Sequence, residues 1–149
     1  GVEFTLDWQF RKLARFLANY TFQEAYFRDG ANRDKDVPLV PHHMANAAIE
    51  VYLPWSLTLR PEVRYVGEQY FGSDNDNSST KLDSYAIVNL YLRWQPDWKA
   101  FGVAKPTAFV GVENLTNKSY VPVGYETFSG LSYYPAPEIN FRGGISLYF

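Results

Sequence analysis

Alternation constrains this chain more than any other feature. Residues switch between apolar and polar at every step over long runs, and the polar half carries full charges in mid-run. At the start, Val2, Phe4, Leu6, Trp8 and Phe10 alternate with Glu3, Thr5, Asp7 and Gln9. Successive side chains of a β-strand point to opposite faces, so such a run predicts a strand with two unlike faces. A second run sets Phe16, Ala18, Tyr20 and Phe22 against Arg15, Asn19, Thr21 and Gln23, with Leu17 out of place. A third sets Ala45, Ala47, Ile49, Val51 and Leu53 against Asn46, Glu50 and Tyr52. In the fourth, Leu57, Leu59, Val63 and Tyr65 oppose Thr58, Arg60, Glu62, Arg64 and Glu68. Pro61 sits inside that run and donates no ladder hydrogen bond, which predicts a bulge or local distortion there. The fifth alternates Ala86, Val88, Leu90, Leu92 and Trp94 with Tyr85, Asn89, Tyr91 and Arg93, with Ile87 as its exception. A sixth is expected from about Thr107 to Tyr120. The last has Phe141, Gly143, Ile145, Leu147 and Phe149 opposite Arg142, Gly144, Ser146 and Tyr148. The pattern therefore predicts about seven strands and an all-β chain.

A soluble sandwich also alternates, but two details favour a bilayer. The polar face holds Glu50, Arg60, Glu62, Arg64, Arg93 and Arg142 near mid-strand. A wet or plugged lumen tolerates such residues, whereas a small soluble barrel turns its apolar face inward. The connections also alternate in length. Turns near residues 10–13 and 54–56, and less tidily 95–105, are short; residues 28–41, 71–81 and 121–137 are long. Outer-membrane barrels have short periplasmic turns and long extracellular loops. With Phe149 on the periplasmic side, Trp8, Phe10, Trp55 and Trp94 gather near the short turns, where an interfacial aromatic girdle belongs. No run of 18 apolar residues offers a membrane helix, but a membrane strand needs only about 9–11 residues. A mean hydropathy of -0.30 is the average expected of one greasy and one wet face. The fold class that follows is an antiparallel transmembrane β-barrel.

Other chemistry is hard to place. There are no cysteines and the net charge is -2, so thiolate metal sites are excluded and no global basic field attracts nucleic acid. His42 and His43 are adjacent and would point apart on a strand, which speaks against a shared metal. Asp74-Asn75-Asp76-Asn77 has the acidic spacing of a calcium loop but lacks its glycine and distal Glu. It is read as part of a solvated loop, as is the charged stretch 28–37. No metal or cofactor is assigned. No G-x-S-x-G or similar nucleophile element is present, so the chain is not read as an enzyme. Binding remains. Tyr70, Tyr120, Tyr125, Phe128, Tyr133 and Tyr134 lie in or beside long connections, where aromatic rings can stack on a flat chelate. Packing among themselves or at the outer interface is their plainer role.

Three stretches resemble TonB-dependent receptors. Val110-Gly111-Val112-Glu113-Asn114-Leu115-Thr116-Asn117-Lys118-Ser119-Tyr120 resembles a late strand of that family, with small and apolar residues, then Asn-Leu, a polar pair and Tyr. Arg142-Gly143-Gly144-Ile145-Ser146-Leu147-Tyr148-Phe149 is similar to the terminal strand by which the barrel-assembly machinery recognises such barrels, carried here by Arg142, Gly144, Leu147 and Phe149. Val37-Pro38-Leu39-Val40-Pro41-His42-His43 resembles a loop re-entering the wall. Tyr65 to Tyr70, followed by Leu82-Asp83-Ser84-Tyr85, resembles the next hairpin.

The resemblance implies that residues 1–149 are the C-terminal segment of a barrel of about 22 strands, its plug and earlier strands lying outside this chain. The chain does not begin with Met and shows no signal peptide, which fits a fragment or a mature piece. It implies partners: outer-membrane lipid, the rest of the barrel and plug, and the energy-coupling protein TonB through the absent N-terminal part. It implies import of a scarce nutrient such as a metal–siderophore complex. Two other readings stand beside it. One is a small stand-alone barrel or passive channel, which needs an even strand count. The other is a soluble carbohydrate-binding sandwich, which needs Val2, Phe4, Leu90 and Leu92 buried.

Overall fold

The computed structural model describes residues 1–96, 99–100 and 103–148. Phe149, the last residue of the terminal signal, lies outside the described residues. The strands are β1 (Val2–Phe10), β2 (Ala14–Phe22), β3 (His43–Leu53), β4 (Leu57–Val66), β5 (Tyr85–Trp94), β6 (Lys99–Ala100), β7 (Val103–Glu113), β8 (Val123–Thr127), β9 (Gly130–Tyr134) and β10 (Asn140–Tyr148). One sheet runs β1-β2-β3-β4-β5-β7-β10, with β6 folded back on β7; β8 and β9 form a separate ribbon. Every wall pairing is antiparallel. The seven wall strands have 9–11 residues each. That is the length a tilted strand needs to cross a bilayer.

The register converts alternation into two faces. Phe4, Tyr20, Ala45, Tyr65 and Ala86 stand side by side across five strands. No described residue covers this face: Phe4 is 57% exposed and Ile145 76%. A sandwich would have buried Phe4, so the soluble reading fails here. Instead the apolar rows present a hydrocarbon-facing band, as a membrane barrel does. Trp8, Phe10, Trp55 and Trp94 fall at the short-turn end, with Trp8 and Phe10 rings 5.6 Å apart and Leu57 paired to Trp94. The β3–β4 connection is only Pro54–Ser56, closed by left-handed backbone at Trp55 and Ser56.

The opposite face holds a belt of charge across neighbouring strands. Arg15 on β2 binds Asp7 on β1 and approaches Glu50 on β3 at 4.0 Å. Arg60 on β4 reaches Glu50 at 3.6 Å and Glu62 at 2.9 Å. Farther along, Arg142 on β10 pairs with Glu113 on β7 at 3.0 Å, and the Tyr91 hydroxyl on β5 donates to the same carboxylate at 3.1 Å. All but Arg60–Glu62, which lies within β4, cross strands and so pin register as well as charge. Two inward aromatics lie over glycines. A methyl group at Gly111 would overlap the Tyr91 ring, and one at Gly144 would overlap the Phe109 ring. This gives Gly144 a packing reason that the terminal-strand resemblance did not contain. Leu17 and Ile87, the two breaks in the pattern, do face this polar side. Ile87 joins a small buried cluster with Val66 and Tyr85.

Three expectations need correction. Pro61 causes no bulge: the register is the same on both sides of it, Ala48 opposite Glu62 and Val51 opposite Leu59. Pairing with β3 lapses only beside the proline, while the β5 side stays continuous through Pro61 opposite Leu90. The register shift lies elsewhere, between Ser146 and Tyr148, alongside the Pro106 segment of β7. The sixth wall strand ends at Glu113 rather than Tyr120, because Asn114 turns into left-handed backbone. The connection after it is no loop throughout, since it contains the β8–β9 hairpin.

Ile49 sits at mid-strand on the apolar face. Ile49→Arg in the full-length protein should cost about 2–4 kcal/mol, against about 0–1 for Phe22→Arg near the strand end. Denaturant titration in lipid vesicles measures the difference, and equal costs would contradict the assignment of this face.

Candidate functional site

The long connections all leave the same end of the sheet, and asparagine starts one of them. Asn114 is 2% exposed with φ 53°. Asparagine tolerates this conformation because its short amide can bond locally. Its Nδ2 donates to the Lys118 carbonyl at 2.8 Å, its Oδ1 accepts from the Lys118 N–H at 2.9 Å, and its own N–H donates to Asn89 Oδ1 at 3.0 Å. Asn117, also left-handed, accepts from the Ile139 N–H at 2.9 Å. The Asn-Leu-Thr-Asn segment is therefore a hydrogen-bonded corner. It bends the chain over the polar face and lays Tyr120 on Tyr85, ring centroids 4.4 Å apart.

The three connections are knitted into one body. Asp36 and Asn77 exchange two hydrogen bonds, 2.7 and 3.0 Å, tying the first to the second. Leu39 N–H donates to the Tyr70 carbonyl at 3.1 Å. Gly72 adds itself to β8, exchanging bonds with Gly124 and Glu126, each 2.8 Å. No side chain fits at Gly72, where the Tyr125 ring lies, nor at Gly124, where the Phe71 ring lies. Gln69 Nε2 donates to the Pro122 carbonyl at 2.8 Å. Phe71, 1% exposed, is the packing centre, edge-on to Tyr133 at 5.3 Å.

The segment Asp74–Asn77 is thus no plain solvated loop. Asp74 is fully buried and accepts from the Ser78 and Ser79 N–H groups at 2.9 and 3.3 Å. A carboxylate held by backbone donors organises a tight loop, and loops of this kind bury acids that composition would leave in water. Folding also brings Glu126 beside Asp74 and Asp76, with ligand-type oxygens all within 4.8 Å of one another. Ser79 Oγ donates to Glu126 at 3.2 Å and Ser78 Oγ to Asp76 at 2.9 Å, and the latter bond is the main cause of the lowered Asp76 pKa.

A cleft of about 780 Å³ opens between residues 80–85 and 118–121. Tyr85, Tyr120 and Tyr133 supply rings, and Lys81 and Lys118 supply charge. A second cleft of about 310 Å³ adjoins it through Glu68, Lys81 and Ser84, and contains Tyr70. Lys81 lies over the Tyr70 ring at 4.9 Å and donates to Glu68 at 2.7 Å. That hydrogen bond, with the attraction behind it, lowers the Glu68 pKa and raises that of Lys81. The tie is intact above the usual carboxylate range and is lost as pH falls through the lowered Glu68 value. The adjacent histidines part company: His42 reaches Asp36 at 3.3 Å, while His43 packs on Phe22 and bonds the Tyr20 hydroxyl at 2.8 Å.

Of the six loop aromatics singled out from sequence, Tyr120 and Tyr133 line the larger cleft and Tyr70 the smaller. Tyr125 and Tyr134 meet edge-on at 5.9 Å instead. Phe128 stands fully exposed at the β8–β9 tip. Tyr85, Lys81 and Lys118 were missed. Tyr85 looks like any polar-face strand residue until the Asn114 corner places Tyr120 against it. Asn114→Ala should raise amide exchange at Lys118 by about ten- to a hundredfold in the full-length protein, given about 1–3 kcal/mol for the donors and acceptors it strands. Unchanged exchange would remove Asn114 as the organiser of this corner.

The family described as TonB dependent receptor-like, beta-barrel matches residues 1–115. A comparison with curated protein sequences finds no match. Among solved structures, the ferric yersiniabactin uptake receptor FyuA from Yersinia pestis superposes with a TM-score of 0.73 at 21% identity, covering 95% of this chain and 22% of that one. The siderophore receptor PiuA from Acinetobacter baumannii gives 0.70 at 15% identity, covering 96% and 20%. The ferric preacinetobactin receptor BauA from the same species gives 0.71 at 18%, covering 97% and 21%. The chain thus spans about a fifth of the length of these receptors. With strand length, two-faced wall and family match in agreement, the chain belongs to the TonB-dependent receptor β-barrel family of the outer membrane.

Proposed function

We propose that this chain is the last stretch of wall and outer rim of a receptor that binds a scarce nutrient, such as a metal–siderophore complex, and imports it. Residues 1–149 form the C-terminal segment of the barrel, and the plug and earlier strands belong to the remainder of the protein. The reading is supported by the solved relatives, which include a ferric yersiniabactin uptake receptor and a ferric preacinetobactin receptor. The observation that carries it is the rim cleft of about 780 Å³. It is large enough for a chelate and combines flat rings with Lys118, Asp83 and the Lys81–Glu68 pair, which suits a polar, partly aromatic ligand. Tyr120, Tyr133 and Tyr70 contribute stacking surface there; Tyr125, Phe128 and Tyr134 extend the aromatic surface outward along the hairpin.

The partners follow from the same reading. Lipid covers the apolar face. The rest of the barrel pairs with the open edges β1 and β10. TonB engages an N-terminal part and supplies energy from the inner membrane. The barrel-assembly machinery reads the strand bearing Arg142, Gly144, Leu147 and Phe149. The chemistry throughout is binding and transport rather than bond-making.

The test is titration of the purified full-length receptor with a panel of ferric siderophores, followed by intrinsic fluorescence. One member should bind saturably, and Tyr120→Ala should weaken it about two- to tenfold, the worth of one aromatic contact. Ion conductance with no saturable ligand in the panel or in iron-starved culture medium would favour a passive channel instead.

A further inference from the structure

The outer connections carry a charge that the wall does not. Residues 23–42 hold four acids and three bases, residues 67–84 four and one, and residues 114–139 two and one. The rim is therefore acid-rich, while the whole chain stands at only -2, so the excess of base lies in the wall and its other turns. An acidic rim draws cations toward it and repels polyanions. The cleft of about 780 Å³ sharpens this bias. Of its cations, Lys81 is already held by Glu68 at 2.7 Å. Lys118 and Asp83 also line the cleft, and neither enters an ion pair among the described residues. Asp83 comes from the second connection and Lys118 from the third, so folding brings two free charges of opposite sign to one cleft without joining them. Tyr120 and Tyr133 line it too, and the face of such a ring attracts a cation.

Resting on the receptor reading above, we propose that this cleft selects a ferric chelate of zero or positive net charge that carries an ammonium arm. Asp83 takes the ammonium, and Lys118 donates to an anionic oxygen of the chelate. A free carboxylate and a free ammonium in one cleft complement a ligand that bears both signs, and such complementarity sets specificity more than raw affinity. A polyanionic chelate meets one free cation, one unpaired carboxylate and a rim of its own sign. Opening the Lys81–Glu68 pair to gain a second cation would turn Glu68 into a further carboxylate facing that chelate. The iron-binding groups then divide the candidates. A full set of hydroxamates balances the ferric charge, whereas a full set of catecholates leaves the complex strongly anionic. The cleft therefore fits the hydroxamate class with a free amine, and Asp83 is the residue that distinguishes it.

The experiment titrates the full-length receptor with a linear ferric trihydroxamate bearing a free ammonium arm, with the same complex N-acetylated, and with a ferric tris-catecholate. The ammonium form should bind about fivefold more tightly than the acetylated form, near the upper end for an exposed ion pair, and the tris-catecholate should bind most weakly. Asp83→Asn should bring the two trihydroxamates within about twofold of each other, and Lys118→Gln should weaken both alike. Comparing two ligands on one protein separates a lost contact from a lost fold. Tightest binding of the tris-catecholate, equal binding of the ammonium and acetylated forms, a preference that survives Asp83→Asn, a Lys118→Gln receptor that binds like the parent, or saturable binding only by other chelates would each overturn the proposal and leave the receptor reading standing. Saturable binding of no chelate at all would overturn the receptor reading itself.

Discussion

Hydrocarbon offers no hydrogen-bond partner, so every backbone N–H and C=O within it must be satisfied by the protein. That requirement governs everything else in this chain. With no helix among the described residues long and apolar enough to cross a membrane, crossing falls to strands. Each wall strand hands its polar groups to a neighbour from β1 through β10. Among the described residues, β1 and β10 are the edge strands of the wall, and the solved relatives are about five times longer than the matching segment.

Satisfying the backbone leaves the side chains free to serve two solvents. The outward rows are greasy, as a surface that faces hydrocarbon must be; the inward rows carry the charge, as a lumen-facing surface can. Pairing across strands keeps those charges affordable, and glycines at 111 and 144 let Tyr91 and Phe109 lie flat against the wall. A single substitution can therefore act on lipid contact, lumen charge or ring packing according to its parity along the strand.

The rim obeys different rules. Its backbone leaves the ladder, so each turn needs a side chain to replace a lost partner. Asn114 and Asn117 do this for the third connection, Asp74 and Asn77 for the second. Because Asn77 and Gln69 also reach across to neighbouring connections, the outer body behaves as one packed piece rather than three tethers. The cleft of Tyr85, Tyr120 and Tyr133 lies where that piece packs over the end of the wall.

The sequence alone determined the class of fold, the wall strands, their two faces and the end at which the long connections lie. Period-two alternation is a local property, written in neighbours, and it survives any tertiary context that keeps strands extended. Leu17 and Ile87 were legible as exceptions even before their faces were known. Only the tertiary structure decided the site. Asp74 looked solvated because the groups that bind it are the Ser78 and Ser79 backbone N–H, which leave no mark in residue type, and Glu126 comes to it from β8. Tyr120 was a plausible ligand residue, but its pairing with Tyr85 depends on a corner built by Asn114. Pro61 was expected to bulge or distort the wall; it interrupts pairing with β3 locally, while the register and the β5 side hold. Contacts between residues far apart in the chain carry no periodic signature, and for that reason the rim had to be seen folded.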